Sequence, residues 1–310
     1  MTSLICGSLA FDTIMSFQGR FSEALLADQL HKINVAFLVP EIRREFGGCA
    51  GNIAYNLKLL QGDPLIMATI GQDGAPYLDR LDQLQISRRH IRSIETSYTA
   101  QAFITTDAGN NQITAFHPGA MTLSHYNKVA DAGSVKLAII APDGRDGMLQ
   151  HAHDCAGLDI PFIFDPGQGL PMFNSTELES LIELATYVAV NDYEAELLTE
   201  RTGLTLNEIA QRVSALIVTQ GEQGAEIFAD GKRLDIPCVE ADRVIDPTGC
   251  GDAFRAGLLY GLSNEMDWAT TGRLASLMGS IKIAHQGGQN HAPSRAEIEE
   301  RFQKAFGYRF

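Results

Sequence analysis

The sequence has little of what a secreted, membrane-bound or nucleic-acid-binding protein needs. Its five cysteines are scattered and form no Cys-x-x-Cys pair, which argues for reduced thiols in a cytoplasmic protein and against a structural zinc site. No signal peptide is apparent, and the longest apolar runs, such as residues 137–142, are far too short to span a bilayer. Lysine and arginine total 24 against 38 acidic residues, and the net charge of −14 argues against nucleic-acid binding.

The sequence does contain an ample hydrophobic fraction, 45% of its 310 residues. This composition is typical of a globular protein, and we expect one domain over residues 1–310. From residue 135 onward, short apolar runs alternate with helical patterns. The runs predict strands at residues 135–141, 160–164, 187–190 and 215–219. Such alternation is typical of an α/β fold with a doubly wound, mainly parallel sheet.

An earlier region does not follow this alternation. Residues 4–12 indicate a buried strand that ends at Asp12, and ligands bind at such strand ends in open α/β sheets. A short helical pattern follows at residues 22–30. Three alternating runs then predict strands at residues 34–39, 100–106 and 112–116. Because these strands do not fit the parallel sheet, we expect a small inserted β-lid formed by about residues 12–45 and 98–118.

The stretch from Asp246 to Leu262 combines a glycine-rich turn with the start of a helix. Gly257 and Gly261 lie beside the apolar face of that helix, where another element could approach closely. A glycine-rich turn that opens a helix leaves backbone N–H groups unpaired, which makes an anion site. Asp252 lies in the first turn, where the helix dipole favours an ionised carboxylate that could accept a hydroxyl proton. The alternative is that Asp252 only caps a core helix.

The segment Asp-Pro-Thr-Gly-Cys-Gly-Asp-Ala-Phe, at residues 246–254, resembles the C-terminal signature of the ribokinase-type (PfkB) family of sugar and nucleoside kinases. The resemblance implies a ribokinase-like fold and ATP-dependent phosphoryl transfer. It also implies that Asp252 is the catalytic base and that the turn Gly249, Cys250 and Gly251 forms the anion hole.

A second motif, Phe46-Gly47-Gly48-Cys49-Ala50-Gly51-Asn52, resembles the family element that holds sugar hydroxyls. Its two glycines allow the backbone to approach a ligand closely, and the asparagine amide offers a donor and an acceptor to a diol. The resemblance implies a substrate site that contains Ser8, Asp12, Gly47, Gly48, Asn52, Phe116 and Gln168.

Phe116 bears on which substrate is bound. In the similar adenosine kinases of the family an aromatic residue in this motif stacks on the nucleobase, and the resemblance implies that role for Phe116. The alternative is an aromatic residue in the core of the lid. Those kinases carry a second aromatic residue on the preceding strand. Here Phe103 is one residue away from that position and Ala102 is in register, so Phe103 is expected on the other face of the strand.

The resemblance further implies a nucleotide site and two cation sites. Residues expected at the nucleotide are Asn191, Thr219, Gly221, Gly224 and Gly288. Glu194, in an Asn-x-x-Glu element, is expected to organise the Mg²⁺ of MgATP through water, since Mg²⁺ keeps several waters and few protein ligands. Asp246 and Thr248 lie where a monovalent cation site, for K⁺, would begin.

The sequence thus predicts ATP-dependent phosphorylation of adenosine at its 5′-hydroxyl to give AMP and ADP, a purine-salvage reaction. The alternative is a ribokinase- or fructokinase-like sugar kinase, which would share every catalytic residue. Less favoured is a catalytically silent nucleotide-binding family member, since Asp252, Gly249 and Gly251 are intact. A Rossmann dehydrogenase is less favoured still, because no Gly-x-Gly-x-x-Gly follows the first strand. The expected partners are ATP and a nucleoside or sugar, with no nucleic acid and no membrane. The exposed edges of the lid also predict a homodimer formed through it.

Overall fold

The computed structural model of the chain describes residues 2–24, 34–109 and 111–310. Over these ranges the strands form a nine-stranded sheet and a separate four-stranded sheet. In spatial order, the strands of the larger sheet are β13 (Lys232–Ile236), β12 (Ala225–Ala229), β11 (Ala215–Thr219), β10 (Tyr187–Asn191), β9 (Phe162–Phe164), β8 (Leu137–Ile140), β1 (Thr2–Cys6), β4 (Asp63–Gly71) and β5 (Ser87–Ile94). All pairs from β11 to β5 are parallel, and β12 and β13 extend the sheet as antiparallel strands.

Helices cover both faces of the larger sheet. One apolar cluster joins the sheet to α2 (Cys49–Leu59), α3 (Ala75–Gln83), α8 (Cys250–Ser263) and α9 (Trp268–Ile283). A second cluster joins the other face to α4 (Arg145–Gly157), α5 (Ser175–Leu184), α6 (Asp192–Thr202) and α7 (Leu206–Arg212). Ile5 belongs to the first cluster and its neighbours Leu4 and Cys6 to the second, as the alternation of side chains along a strand requires. The predicted doubly wound, mainly parallel α/β fold is confirmed.

The glycines of α8 have the predicted packing role. A Cβ atom at Gly257 would collide with Ala275, and one at Gly261 would collide with Thr271, both on α9. The two helices therefore pack at short range, which fixes the direction of α8 and of the turn from which it begins. The last helix, α10 (Arg295–Phe306), packs against α9 in a third apolar cluster.

The smaller sheet lies outside the parallel sheet. Its strands, in spatial order, are β3 (Glu41–Gly47), β2 (Ala10–Ser16), β6 (Ala100–Thr106) and β7 (Gln112–His117). The strand β2 is antiparallel to β3 and parallel to β6, and β6 and β7 form the predicted antiparallel hairpin. A short helix, α1 (Phe21–Ala24), follows β2.

Three predictions in this region need correction. Residues 34–39 form no strand; the strand is β3, which begins at Glu41. Because β3 is an edge strand exposed to solvent, its sequence is charged and lacks the apolar alternation that predicts a strand. The expected strand over residues 4–12 is two strands, so Asp12 lies within β2 of the smaller sheet instead of ending a core strand. Of the predicted helix at 22–30, residues 22–24 are helical and 25–30 lie outside the described residues. Within the described ranges, no helix has the length and apolar character needed to cross a membrane.

Candidate active site

Two helix starts border the candidate site, and they differ in whether their first amides are already bonded. In α2, the N–H of Cys49 donates to the Ser8 hydroxyl at 3.2 Å and that of Ala50 donates to the Ser8 carbonyl at 3.0 Å. Ser8, predicted at the substrate, therefore serves to close this helix end. Gly48 permits the arrangement, since its φ is +85° and a Cβ atom would meet the backbone of residues 8–10.

The start of α8 is open. Gly249 precedes it with a left-handed φ of +78°, and no side chain of the described residues caps the helix. A Cβ atom added at Gly251 would meet nothing within 4 Å, so this turn faces free space. Amides that no side chain caps, at the positive end of a helix dipole, form an anion site. Of the predicted turn Gly249, Cys250 and Gly251, the N–H of Cys250 donates to the Pro247 carbonyl at 3.1 Å, which leaves the amides of the two glycines to a ligand. Burial raises the pKa of the Cys250 thiol to about 11, so this residue is a neutral part of the turn.

Asp252 lies in the first turn of α8 and is held by a buried hydrogen-bond network. The amide of Asn52 donates to its carboxylate at 2.9 Å. Gln289 donates to the Asn52 amide oxygen at 3.1 Å and to the Tyr77 hydroxyl at 2.9 Å. Tyr77 in turn donates to the carbonyl of Gly47 at 2.7 Å. Asn52, predicted to hold substrate hydroxyls, thus orients the acid of α8 in this structure.

The electrostatics of Asp252 suit a proton acceptor. Burial raises its pKa to about 6, and the hydrogen bond from Asn52 opposes the rise. The carboxylate is therefore mostly ionised at pH 7, with a pKa nearer to the working pH than that of an exposed aspartate. A general base is most effective in that range.

A buried ion pair lies one helical turn beyond this acid. The guanidinium of Arg255 donates two hydrogen bonds to the Asp165 carboxylate, at 3.1 and 3.3 Å, and both side chains are almost fully buried. The third nitrogen, Nη1, has no partner among the described residues. The positive charge of Arg255 lowers the pKa of Asp252, while the negative charge of Asp165 raises it. The pair therefore fixes α8 to the end of β9 beside Asp252.

The smaller sheet aligns two predicted substrate residues, Asp12 and Phe116. Asp12 of β2 pairs with Ala102 of β6, and Ala102 pairs with Phe116 of β7. Directly paired residues point to the same side of a sheet, so Asp12 and Phe116 share one face with only the small Ala102 between them. Phe103 pairs with Ala115 and lies on the opposite face, as its spacing predicted.

The carboxylate of Asp12 borders the glycine motif. A Cβ atom at Gly47 would lie 2.5 Å from Asp12 Oδ2. Burial, followed by the negative charges of Glu45 and Asp246, raises the pKa of Asp12 to about 6. No hydrogen bond from the described residues reaches this carboxylate, which leaves its oxygens available to a ligand. Gln168 is exposed in a 3-10 turn at Gly167–Met172, shortly after Asp165.

The residues predicted at the nucleotide divide into open and buried positions. Asn191 and Thr219 are paired at the carboxyl ends of β10 and β11, and the turn at Gly221 is open to solvent. Gly224 is buried against the residues that follow β13. Gly288 is buried between Asn52 and Gly249, at the turn that precedes α8, and not on an open surface where adenine could lie.

Glu194 has a structural role that was not predicted from its short motif. Its carboxylate accepts the N–H of Asn191 at 2.8 Å, and the Asn191 side chain accepts the N–H of Glu194, which forms a capping box at the start of α6. One carboxylate oxygen is left over. No group of three or more metal-ligating side chains occurs in the described ranges. This donor set fits a Mg²⁺ ion that arrives with phosphate and keeps its waters.

The expected monovalent cation site does not fit its residues. Both carboxylate oxygens of Asp246 accept backbone N–H groups, from Thr248 at 2.9 Å and from Gly287 at 2.8 Å. The carbonyl of Asp246 accepts a hydrogen bond from the ammonium of Lys282 at 2.7 Å. A side-chain cation therefore already occupies the oxygen that an alkali ion would need.

Sequence reasoning missed several residues of this site. They are Tyr77, Asp165, Arg255, Lys282 and Gln289. Each acts on a partner that is distant in the chain, and none stands in a local pattern that predicts its partner. The one available signal was that a charged residue, Arg255, occurs inside an otherwise apolar helix, where a buried charge requires a counter-ion.

An ionised acid beside uncapped helix amides, at the carboxyl edge of a parallel sheet, defines a site for phosphoryl transfer to a hydroxyl group. Comparison with known proteins agrees. Residues 11–295 match the pfkB family of carbohydrate kinases. The chain therefore belongs to this family, and it is a phosphotransferase with an alcohol acceptor.

Similar proteins cover the whole length of the chain. The structure of Burkholderia thailandensis nucleoside kinase in complex with inosine is 59% identical, with a TM-score of 0.91 over 99% of this chain and 100% of that one. The nucleoside kinase of Methanocaldococcus jannaschii is 31% identical over 87% of this chain and 90% of its own length. The ribokinase of Bacillus subtilis is 26% identical over 96% and 97%.

Proposed function

We propose that this chain is a nucleoside kinase that transfers the γ-phosphoryl group of ATP to the 5′-hydroxyl of adenosine, giving AMP and ADP. The observation that carries the proposal is the row of Asp12, Ala102 and Phe116 on one face of the smaller sheet. Neighbouring strands are about 4.8 Å apart, so Asp12 and Phe116 are roughly 10 Å apart across the row. That span suits a ribose at one end and a base at the other.

The relatives support a nucleoside as the acceptor. The similar protein of Burkholderia thailandensis binds inosine, and the Methanocaldococcus jannaschii protein is a nucleoside kinase. Stacking on an aromatic ring tolerates different bases, because every base has a π-face. We therefore expect inosine to be a second substrate. A sugar kinase would have no use for an aromatic side chain at the position of Phe116, half of which is exposed.

The chemical step uses the residues of α8. Asp252 takes the proton of the 5′-hydroxyl as that oxygen attacks, and Asn52 keeps the carboxylate in place. The amides of Gly249 and Gly251 hold the oxygens of the transferring phosphoryl group. Asp12 holds the ribose hydroxyls, for which its free carboxylate oxygens are suited.

The nucleotide lies along the carboxyl ends of β10 and β11 in this proposal, near Asn191, Thr219 and Gly221. Glu194 would hold Mg²⁺ through water. When bound, Mg²⁺ neutralises the charge of the β- and γ-phosphates.

The outer face of the smaller sheet supports a lid-to-lid homodimer. Phe103, Ile42 and Ile113 lie on the face opposite Asp12 and are 40%, 68% and 44% exposed. A second copy of this face would cover these side chains and the exposed edge of β7. Phe103→Asp is expected to yield a monomer by light scattering, and a Phe103→Asp dimer would contradict this interface.

The test of the function is a substrate panel of adenosine, inosine, ribose and fructose with MgATP, with the phosphorylated position assigned by ³¹P NMR. We expect 5′-monophosphates and a kcat/KM for adenosine at least about tenfold above that for ribose, within the range that base stacking supplies. Equal efficiency for ribose or fructose would favour the sugar kinase. Absence of turnover on all four would favour the catalytically silent alternative.

A further inference from the structure

Lys282 is a buried cation that the chemical step does not use. It lies in the last turn of α9 and has no exposed surface. Its ammonium donates to two backbone carbonyls, that of Asp246 at 2.7 Å and that of His285 at 3.1 Å, and it forms no ion pair within the described ranges. Carbonyl oxygens are the ligands that replace water around an alkali cation. The ammonium is therefore held as such an ion would be held.

The two carbonyls belong to the segments that support the anion turn. Asp246 begins the turn that reaches Gly249 three residues later, and the N–H of Cys250 donates to Pro247 within it. His285 begins the loop that carries Gly288 against Gly249. Asp246 also accepts the N–H of Gly287 in that loop. Lys282 thus ties both segments to one helix end.

The positive charge of the Lys282 ammonium lowers the pKa of a neighbouring group in the site. It opposes the rise that burial causes in the pKa of Cys250, the first residue of α8. It also lies at the carboxyl end of α9, where the helix dipole favours a cation. Each oxygen of Asp246 already accepts a hydrogen bond. The space behind the turn therefore contains the positive charge of Lys282, and Asp246 offers no unpaired oxygen to a metal ion.

On this basis we propose that Lys282 is a positioning residue that supplies, as a fixed ammonium, the charge that a monovalent cation would otherwise place behind the anion turn. The kinase would then not require K⁺. Only the expected effects on kcat and KM rest on the proposed phosphoryl transfer; the expected effect of K⁺ on the Tm does not.

The first test uses the unmodified protein. Activity with adenosine and MgATP, and the Tm, are measured in potassium chloride and in tetramethylammonium chloride at equal ionic strength. We expect kcat to differ by less than about twofold and the Tm to be the same, because an ion that binds the native state raises Tm by mass action. Activation by K⁺ of more than about tenfold, or a Tm that rises with K⁺ alone, would overturn the proposal. The Tm comparison remains valid if adenosine is not the substrate.

The second test removes the charge. Lys282→Met keeps the length of the side chain. Lys58→Met, at a half-buried lysine of α2 whose ammonium donates to the Gln85 carbonyl, is the control for loss of one positive charge. We expect Lys282→Met to lower kcat by at least about tenfold with a smaller change in the KM for adenosine, and K⁺ to restore part of kcat. Wild-type kcat in Lys282→Met would contradict the positioning role. If this variant does not fold, the comparison of salts with the unmodified protein still decides the question.

Discussion

The two sheets of this kinase differ in how much of their polar chemistry is already satisfied. In the larger sheet, β8 is buried along its whole length. The carboxylate of Asp252, at the start of α8 beside that sheet, accepts a hydrogen bond from Asn52. In the smaller sheet, β7 is exposed along its whole length, and the carboxylate of Asp12 accepts no hydrogen bond from the described residues. The first region is organised before any ligand arrives, and the second has hydrogen-bonding capacity left for one.

This difference separates two tasks. Phosphoryl transfer gains from groups that are fixed in a dry site, because no reorganisation is then needed during the reaction. Choosing a substrate requires a surface whose contacts are incomplete until the substrate binds. We therefore expect changes around α8 to affect the rate of the chemical step, and changes on the Asp12 face of the smaller sheet to affect affinity.

The largest effect is expected at the base. Asp252→Asn removes the proton acceptor but keeps the size of the side chain, and we expect kcat to fall by about 10²–10⁴-fold or more, with folding and binding of both substrates retained. Rapid-quench kinetics measures this loss. A variant that keeps more than about a tenth of wild-type kcat, with chemistry rate-limiting, would remove Asp252 from the mechanism.

A large loss of stability is expected at the buried ion pair. Arg255→Met leaves Asp165 buried without its partner, which costs about 3–5 kcal/mol of the free energy of unfolding. Arg233→Met, at an exposed arginine that pairs with Glu226 and Asp235, is the matched control and should cost about 0–1 kcal/mol. Urea unfolding of both variants measures the difference. Equal losses would mean that the Arg255 pair does not hold α8 in place.

A smaller effect is expected on the lid. Phe116→Ala should weaken adenosine binding by about 1–3 kcal/mol, the scale of base–aromatic stacking, and change activity toward ribose much less. Phe103→Ala deletes the same side chain on the other face and should leave the KM for adenosine unchanged. A lid-core role for Phe116 predicts comparable losses on both substrates and a lower Tm.

The smallest expected effect is on the pH dependence of kcat/KM, to which one carboxylate from each region contributes. Burial raises the pKa values of Asp12 and Asp252 to about 6 each, and in the proposed reaction both act as carboxylates. A proton acceptor and a hydroxyl-binding carboxylate both work in the deprotonated form. We therefore expect kcat/KM to be constant above pH 7 and to fall as pH decreases through about 6. With ordinary pKa values the loss would come near pH 4. A constant kcat/KM down to pH 5, in a protein shown to stay folded, would contradict these shifts.

Sequence reasoning predicted the catalytic turn and the central strands because their signals are local. The glycines around Cys250 and the apolar runs of β10 and β11 can be read without knowledge of any distant residue. The capping box of Asn191 and Glu194 is also local, yet its chemistry was assigned from resemblance and its structural role was missed.

The strands that escaped prediction are both at sheet edges. β3 contains Glu-Ile-Arg-Arg-Glu, and β5 contains Ser-Arg-Arg-His-Ile-Arg, and each pairs with a neighbour on one side only. Charged residues keep such edges from pairing with other chains, and they also remove the apolar alternation by which a strand is identified. The erroneous strand at 34–39 has the opposite character, an apolar run that pairs with no described strand.

The contacts around Asp252 could not be predicted for another reason. Gln289 and Tyr77 are 212 residues apart, and Arg255 and Asp165 are 90 apart. Nothing in either local sequence specifies the other. Such pairs follow from the order of strands in the sheet, which brings the ends of β9, α2 and α8 together.

The most direct test of the separation between chemistry and affinity is a single-turnover titration with adenosine, performed on Asp252→Asn and Phe116→Ala. It yields the rate constant at saturation and the half-saturating concentration in one experiment. We expect Asp252→Asn to lower the rate constant by about 10²–10⁴-fold with little change in half-saturation. Phe116→Ala should raise half-saturation by about 5–150-fold and leave the rate constant nearly unchanged. If both variants lose rate and affinity together, the two sheets do not divide the work in this way.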